Sequence, residues 1–177
     1  MFLTPADESV HIRIENPTSD EELEAIRVVN RAAFGGSAEA ELVDKLRVDN
    51  ALVSLVAESR LSIVGHILFS RMWIRTPSEL ISAVALAPVA VLPGFQRQGI
   101  GGRLISDGLA RLKQRGERIV IVLGHPSYYP RFGFSPDKAA ASLESPFPPE
   151  AFMALELFEG ALAGVRGQVV YPPAFGL

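Results

Sequence analysis

Leu80-Ile81-Ser82-Ala83-Val84-Ala85-Leu86-Ala87-Pro88-Val89-Ala90-Val91-Leu92 runs into Pro93-Gly94-Phe95-Gln96-Arg97-Gln98-Gly99-Ile100-Gly101-Gly102. The first part is almost wholly apolar, the pattern of a central strand buried on both faces. Pro88 interrupts it; a residue without an N–H cannot donate to a ladder, so a bulge or a local break in pairing is expected there. The second part is a tight turn that opens a helix over Gly99 to Arg115. That helix has an apolar stripe of Leu104, Ile105, Leu109 and Leu112, and Arg103, Asp107, Arg111 and Gln114 on the opposite face. Gly116 suits the left-handed residue after the last turn. Strand, turn and helix in this order build an anion site. The first N–H groups of a helix have no internal partner, and the macrodipole puts partial positive charge there. Gly99, Gly101 and Gly102 let a phosphate approach the backbone, and Arg97 and Arg103 can add charge-assisted contacts.

Two familiar phosphate loops fail by named residues. Gly94 and Gly99 have P-loop spacing, but Ile100-Gly101 stands where Lys and Ser/Thr are required. A dinucleotide fingerprint starting at Gly99-x-Gly101 needs its third glycine at the position held by Leu104.

Upstream, Val10-His11-Ile12-Arg13-Ile14 alternates and reads as a first strand. Ser19-Asp20-Glu21-Glu22 is a capping-box pattern before a helix carrying Leu23, Ile26, Val29 and Ala33, which Gly35-Gly36 stops. Ser37 is placed to cap a second helix with Leu42, Val43 and Leu46. Leu52 to Ala57 and Ile63 to Ile74 are strands joined around Ser59-Arg60. Downstream, Ile119 to Leu123 is a short apolar strand. The Pro-rich C-terminal stretch has apolar segments at Phe152–Leu157 and Val169–Tyr171, which finish the sheet or cover an edge. We read residues 1–177 as one domain, with a core over about 10–135 and residues 136–177 completing the sheet.

The 177 residues are 48% hydrophobic and 21% charged, the usage of a folded globular chain. A net charge of −3 argues against a nucleic-acid footprint, which needs a basic face. With no cysteines there is neither a disulfide, a thiolate metal site nor a Cys nucleophile. His11, His66 and His125 lack metal-ligand spacing, so no metal is expected. Met1 to Val10 has neither a basic nor an apolar leader region, and no apolar run approaches the roughly 18 residues that span a bilayer. The expected location is cytoplasmic, with no membrane partner. No Gly-x-Ser-x-Gly elbow occurs.

Gln96, Gly99 and Gly101 fill the Gln/Arg-x-x-Gly-x-Gly/Ala loop of the GNAT superfamily of acyl-CoA N-acyltransferases, and the chain resembles that family from about Val10 to Phe134. The element order fits as well. The resemblance implies an α/β fold: a mixed, mostly antiparallel sheet flanked by helices, in which two parallel strands splay to form the CoA cleft. It implies that backbone N–H groups of Arg97, Gln98, Gly99, Ile100, Gly101 and Gly102, following Gln96 and with Arg103 beside them, cradle the pyrophosphate of acetyl-CoA. It also implies that Val89, Ala90 and Val91 pair with the pantetheine arm.

A second motif is Gly124-His125-Pro126-Ser127-Tyr128-Tyr129-Pro130-Arg131-Phe132-Gly133-Phe134. The family often has a tyrosine four residues before a Gly-Phe pair, which assists the departing CoA sulfur. Here that residue is Tyr129, with Tyr128 as a neighbour that leaves the assignment open. A backbone N–H around Val91 is then placed to stabilise the oxyanion. The acceptor implied is a primary amine on a small molecule or a protein. Glu39, Glu41, Glu58, His66 and His125 are candidate bases, and spacing singles out none; Glu39 and Glu41 also read as solvated first-turn carboxylates, and His66 as structural. A non-catalytic acyl-CoA sensor with the same fold is the alternative, and transfer to a hydroxyl is a third. Pro146-Phe147-Pro148-Pro149 offers a surface for a homodimer contact.

Overall fold

The computed structural model describes residues 9–177. The leaderless reading of Met1 to Val10 lies, up to residue 8, outside them. The elements are β1 (His11–Ile14), α1 (Asp20–Phe34), α2 (Ala38–Asp49), β2 (Ala51–Ser59), β3 (Ser62–Arg75), β4 (Leu80–Val91), α3 (Ile100–Gln114), β5 (Ile119–Leu123), α4 (Pro136–Ser142), β6 (Leu143–Glu144), β7 (Phe152–Glu156) and β8 (Gly167–Val170). The sheet order is β1-β2-β3-β4-β5-β7, with β8 paired to the far end of β3 and β6 paired to β8. The β4–β5 and β6–β8 pairs are parallel and the others antiparallel.

Helices cover both faces. Leu104, Ile105, Leu109 and Leu112 of α3 pack on Leu55, Ile67, Phe69 and Val84. Ile26 of α1 and Val43 and Leu46 of α2 pack on the other face, against Val56 and Leu68. Each fully buried side chain of this size contributes about 1.5–3 kcal/mol. Gly108 sits in mid-helix where a Cβ would run into the Phe69 ring, so the absence of a side chain lets α3 lie close to β3. The stripe expected for α3 is buried in full. That of α2 is not: Leu42 is only partly buried, packing on the edge of the core and lining a cleft, while Ala40 is buried beside Val43 and Leu46.

The two expected caps differ. Ser19 accepts from Glu22 N at 3.2 Å, but Glu22 Oε1 reaches past it to Asn16 N at 2.7 Å, drawn there by Arg13, which pairs with Glu22 at 2.8 Å. Ser37 makes no side-chain cap; its hydroxyl donates to Glu41 Oε1 at 2.7 Å instead.

Pro88 breaks the β3–β4 ladder as its missing N–H requires. Ile67 opposes Val89 and Phe69 opposes Leu86, so Ala87 and Pro88 together face Leu68. On its other side β4 meets β5 only at Val84–Val120 and Ala85–Ile121. Beyond that point the strands part. The C-terminal segment completes the sheet through β7, antiparallel to β5 over Phe152–Leu123 to Glu156–Ile119, and through β8 on Trp73–Arg75.

Candidate functional site

The gap between β4 and β5 opens into a cleft of about 1030 Å³. Leu86, Ala87, Pro88 and Val89 line one side, Leu123, Gly124 and His125 another, and the loop after β4 a third. Phe34, Glu39 and Leu42 reach it from α1 and α2, on the sheet face opposite α3. The cleft therefore passes through the sheet at the point where its two parallel strands separate.

The loop is held by its own side chains. Gln96 Nε2 donates to Val91 O at 2.9 Å and ties the loop to the end of β4. Arg97 has φ +61° and Gly99 φ +81°, both left-handed; that conformation is free for glycine and costs Arg97 about 1 kcal/mol or more. Arg103 N–H is the first in α3 with a backbone acceptor, Gly99 O at 3.0 Å. Among the described residues, the N–H groups of Ile100, Gly101 and Gly102 find none. A Cβ on Gly101 would lie 3.3 Å from Tyr128 Oη and 3.8 Å from Val91 Cγ2, so the glycine keeps a narrow passage clear.

Of the residues expected to bind the cosubstrate, Val89, Val91, Gln96, Arg97, Gly99, Ile100, Gly101 and Gly102 line the cleft. Three do not. Ala90 is buried on the opposite side of β4, by the alternation of the strand. Gln98 turns back to Gly94 O at 3.4 Å. Arg103 points along α3 toward β1, where its guanidinium donates to Val10 O at 2.8 Å; its charge-assisted contact is with that carbonyl.

Tyr128 and Tyr129 both line the cleft at different places. Tyr128 is half-buried beside Gly101, with Arg131 over its ring at 4.7 Å. Tyr129 is 8% exposed and lies against Gly124, just past β5, where any side chain would collide with its ring. The two rings meet edge to face at 5.2 Å, and Phe134 meets Tyr129 in the same way at 5.8 Å. Burial pushes the Tyr129 phenol up to about 12, with the neighbouring Tyr128 adding to the effect. Burial also raises Tyr128, while Arg131 pulls it back.

His66, a candidate base by residue type, is elsewhere. It is fully buried on the α1 side of β3. Asn30 Nδ2 lies 3.3 Å from its Nδ1, and Ser54 Oγ lies 2.9 Å from its Nε2. The Ser54 hydroxyl donates to Glu15 Oε2 at 2.7 Å, so it must accept from His66, which fixes the Nε2–H tautomer. Arg47 forks onto both Glu15 oxygens at 2.8 and 3.1 Å. Burial alone would raise Glu15, but hydrogen bonds from His66, Arg47 and Ser54 outweigh it and hold the carboxyl far below its usual range. Burial lowers His66 despite the nearby carboxylate. This chain of bonds joins β1, α1, α2, β2 and β3, and it does not open into the cleft. Glu58 is likewise engaged, by Arg13 at 2.8 Å. Among the described residues, no group of three or more His, Cys, Asp or Glu is arranged to hold a metal, and no helix is long and apolar enough to cross a membrane.

Residues 13–136 match the family described as the acetyltransferase (GNAT) domain. The chain belongs to the GNAT acetyltransferase family. It is 39% identical over 157 residues to the uncharacterised N-acetyltransferase YjhQ of Escherichia coli, covering 86% of this chain and 84% of that one. The crystal structure of the GNAT family N-acetyltransferase YhbS from E. coli in complex with CoA superposes with a TM-score of 0.87 at 32% identity, over 99% of this chain and 97% of the other. A GNAT family acetyltransferase from Brucella melitensis in complex with acetyl-CoA gives 0.77 at 36% identity, over 95% and 99%. The mixed, mostly antiparallel sheet with its parallel β4–β5 pair thus matches the GNAT fold, as the resemblance implied.

Proposed function

We propose that the protein transfers the acetyl group of acetyl-CoA to a primary amine of a small molecule or protein by direct attack. The observation that carries this reading is one continuous cleft. It begins at the unpartnered N–H groups of Ile100, Gly101 and Gly102 and ends between the parted edges of β4 and β5, beside two tyrosines. The N–H groups and the α3 dipole suit the CoA diphosphate, with Arg97 beside them. The extended pantetheine suits a strand edge, and Val89 and Val91 stand where it would lie. The CoA complexes of YhbS and of the Brucella protein support the same assignment.

The amine reacts in its neutral form. Its lone pair forms the N–C bond, the C–S bond breaks, CoA leaves as a thiolate, and the amine nitrogen gives up its second proton to water. Tyr129 assists the sulfur in this reading. A thiol titrates at about 8.5. Burial raises Tyr129 further above the thiol range, so full proton transfer to the departing sulfur is uphill. Tyr129 therefore keeps its proton and donates a hydrogen bond, easing thiolate departure without surrendering the proton.

The test is a thiol-release assay with acetyl-CoA over a panel of amines, alongside calorimetry of CoA binding. The expected result is micromolar CoA binding with amine-dependent thiol release. CoA binding without release for any amine would favour an acyl-CoA sensor, and no CoA binding would end both readings.

A further inference from the structure

The charged residues of the cleft are divided between its two mouths. Arg97 belongs to the loop before α3, and Arg131 is stacked on Tyr128. On the opposite face of the sheet, the cleft is reached by Phe34, Glu39 and Leu42. Glu39 is the one carboxylate among the described residues that line the cleft.

Glu39 and its neighbour Glu41 are both first-turn residues of α2, yet they have different surroundings. Glu41 is engaged by the Ser37 hydroxyl at 2.7 Å and does not line the cleft. Glu39 is half-buried, and among the described residues no hydrogen bond or ion pair engages it. The α2 dipole favours a carboxylate at this first-turn position, but it supplies no counter-ion, and the carboxylate is left free to pair with a cation brought by a ligand. Leu42 follows it by three residues, on the same face of α2. Phe34 ends α1 with 46% of its surface exposed, a large aromatic side chain at the cleft mouth. Carboxylate, aromatic ring and branched aliphatic side chain thus share one wall, and the gap between β4 and β5 lies beyond them.

We propose that Glu39, flanked by Phe34 and Leu42, is the specificity-determining residue of the acceptor mouth and selects an ammonium group carried on an alkyl or arylalkyl body. This rests on the acetyl-transfer reading above and narrows its acceptor: an alcohol of the same skeleton would offer Glu39 a hydrogen bond but no counter-charge. Glu39 binds the charged form. The ammonium sheds one proton to solvent before its nitrogen attacks.

The experiment measures binding to the CoA-saturated protein by calorimetry. The probes are 2-phenylethylamine and n-hexylamine, each paired with the alcohol of identical skeleton, on wild type, Glu39→Gln and Glu39→Asp. The expected result is tighter binding of amine than of alcohol by wild type. Glu39→Gln should weaken the amines about tenfold and leave the alcohols and CoA unchanged, and Glu39→Asp should restore part of the difference. Equal binding of amine and alcohol by wild type, including no binding of either, overturns the proposal. So does an equal loss of both in Glu39→Gln. Amine binding that depends on Glu39 without thiol release upholds the inference and counts against acetyl transfer, so the two can fail separately.

Discussion

The cluster around His66 and the loop around Gly99 differ in whether their hydrogen-bonding groups have found partners. His66 has a strongly perturbed environment: complete burial, a carboxylate 3.7 Å away and Arg47 beyond it. By that criterion alone it would be the active-site candidate. Yet both ring nitrogens, the Ser54 hydroxyl and both Glu15 oxygens are engaged inside the protein. The cluster's one unpaired buried atom is Asn30 Oδ1. The loop has less dramatic electrostatics, but among the described residues the N–H groups of Ile100, Gly101 and Gly102 have no backbone acceptor, and Glu39 across the cleft has no hydrogen-bond or ion-pair partner. A closed network holds elements together, while an open set of donors binds something.

The contrast makes separable predictions. Removing Glu15 should act on stability alone: Glu15→Ala leaves the Ser54 hydroxyl without its acceptor and Arg47 with Asp44 only, and should cost about 3 kcal/mol in denaturant unfolding, with CoA affinity unchanged. The wild-type advantage should shrink on acidification. Glu15 is held below its unfolded value, so its contribution is present above about 4.3 and is lost as pH falls. His66 is also lowered, so the unfolded chain takes up a proton below about 6.5 that the folded one refuses, which destabilises in the same direction. Melting temperatures from pH 7 to pH 4 check both.

Gly101→Glu should do the reverse. It places a side chain against Tyr128 and a carboxylate where the diphosphate is proposed to bind, and is expected to lower CoA affinity about a hundredfold in calorimetry with the melting temperature nearly unchanged. Tyr129→Phe should have the smallest effect, slowing turnover about tenfold with CoA affinity retained, if the phenol assists as proposed by hydrogen bonding alone. A loss of CoA binding in Glu15→Ala, or of stability in Gly101→Glu, would erase the distinction between the two regions.

Much of the fold was legible because it is written in periodicity. The α3 stripe, the apolar β4 and the ladder break at Pro88 each follow from local rules. The strands of the C-terminal segment were legible as apolar runs, but the two-residue β6 is too short to leave a pattern. At the site, the loop was readable because glycine spacing and strand context are local. Arg103 was not, since its carbonyl partner lies 93 positions away. Nor was Glu39 distinguishable from Glu41: both are acidic residues of one first turn, and only the packing of α2 decides which of them reaches the cleft. His66 was readable as structural from its mid-strand position, but its partners come from positions 15, 30 and 54 and only the fold assembles them.

The β4–β5 ladder ends after two residue pairs, and both strands continue past it. The sheet therefore contains an interior edge, like a fabric with an unsewn seam. An extended guest that joins both sides contributes a missing strand as well as occupying a pocket. Because the unfolded chain offers no such seam, a guest at a hundred times its Kd adds about 2.7 kcal/mol to folding. A cosubstrate bound as proposed would thus be a structural ligand of the sheet as well as a reactant.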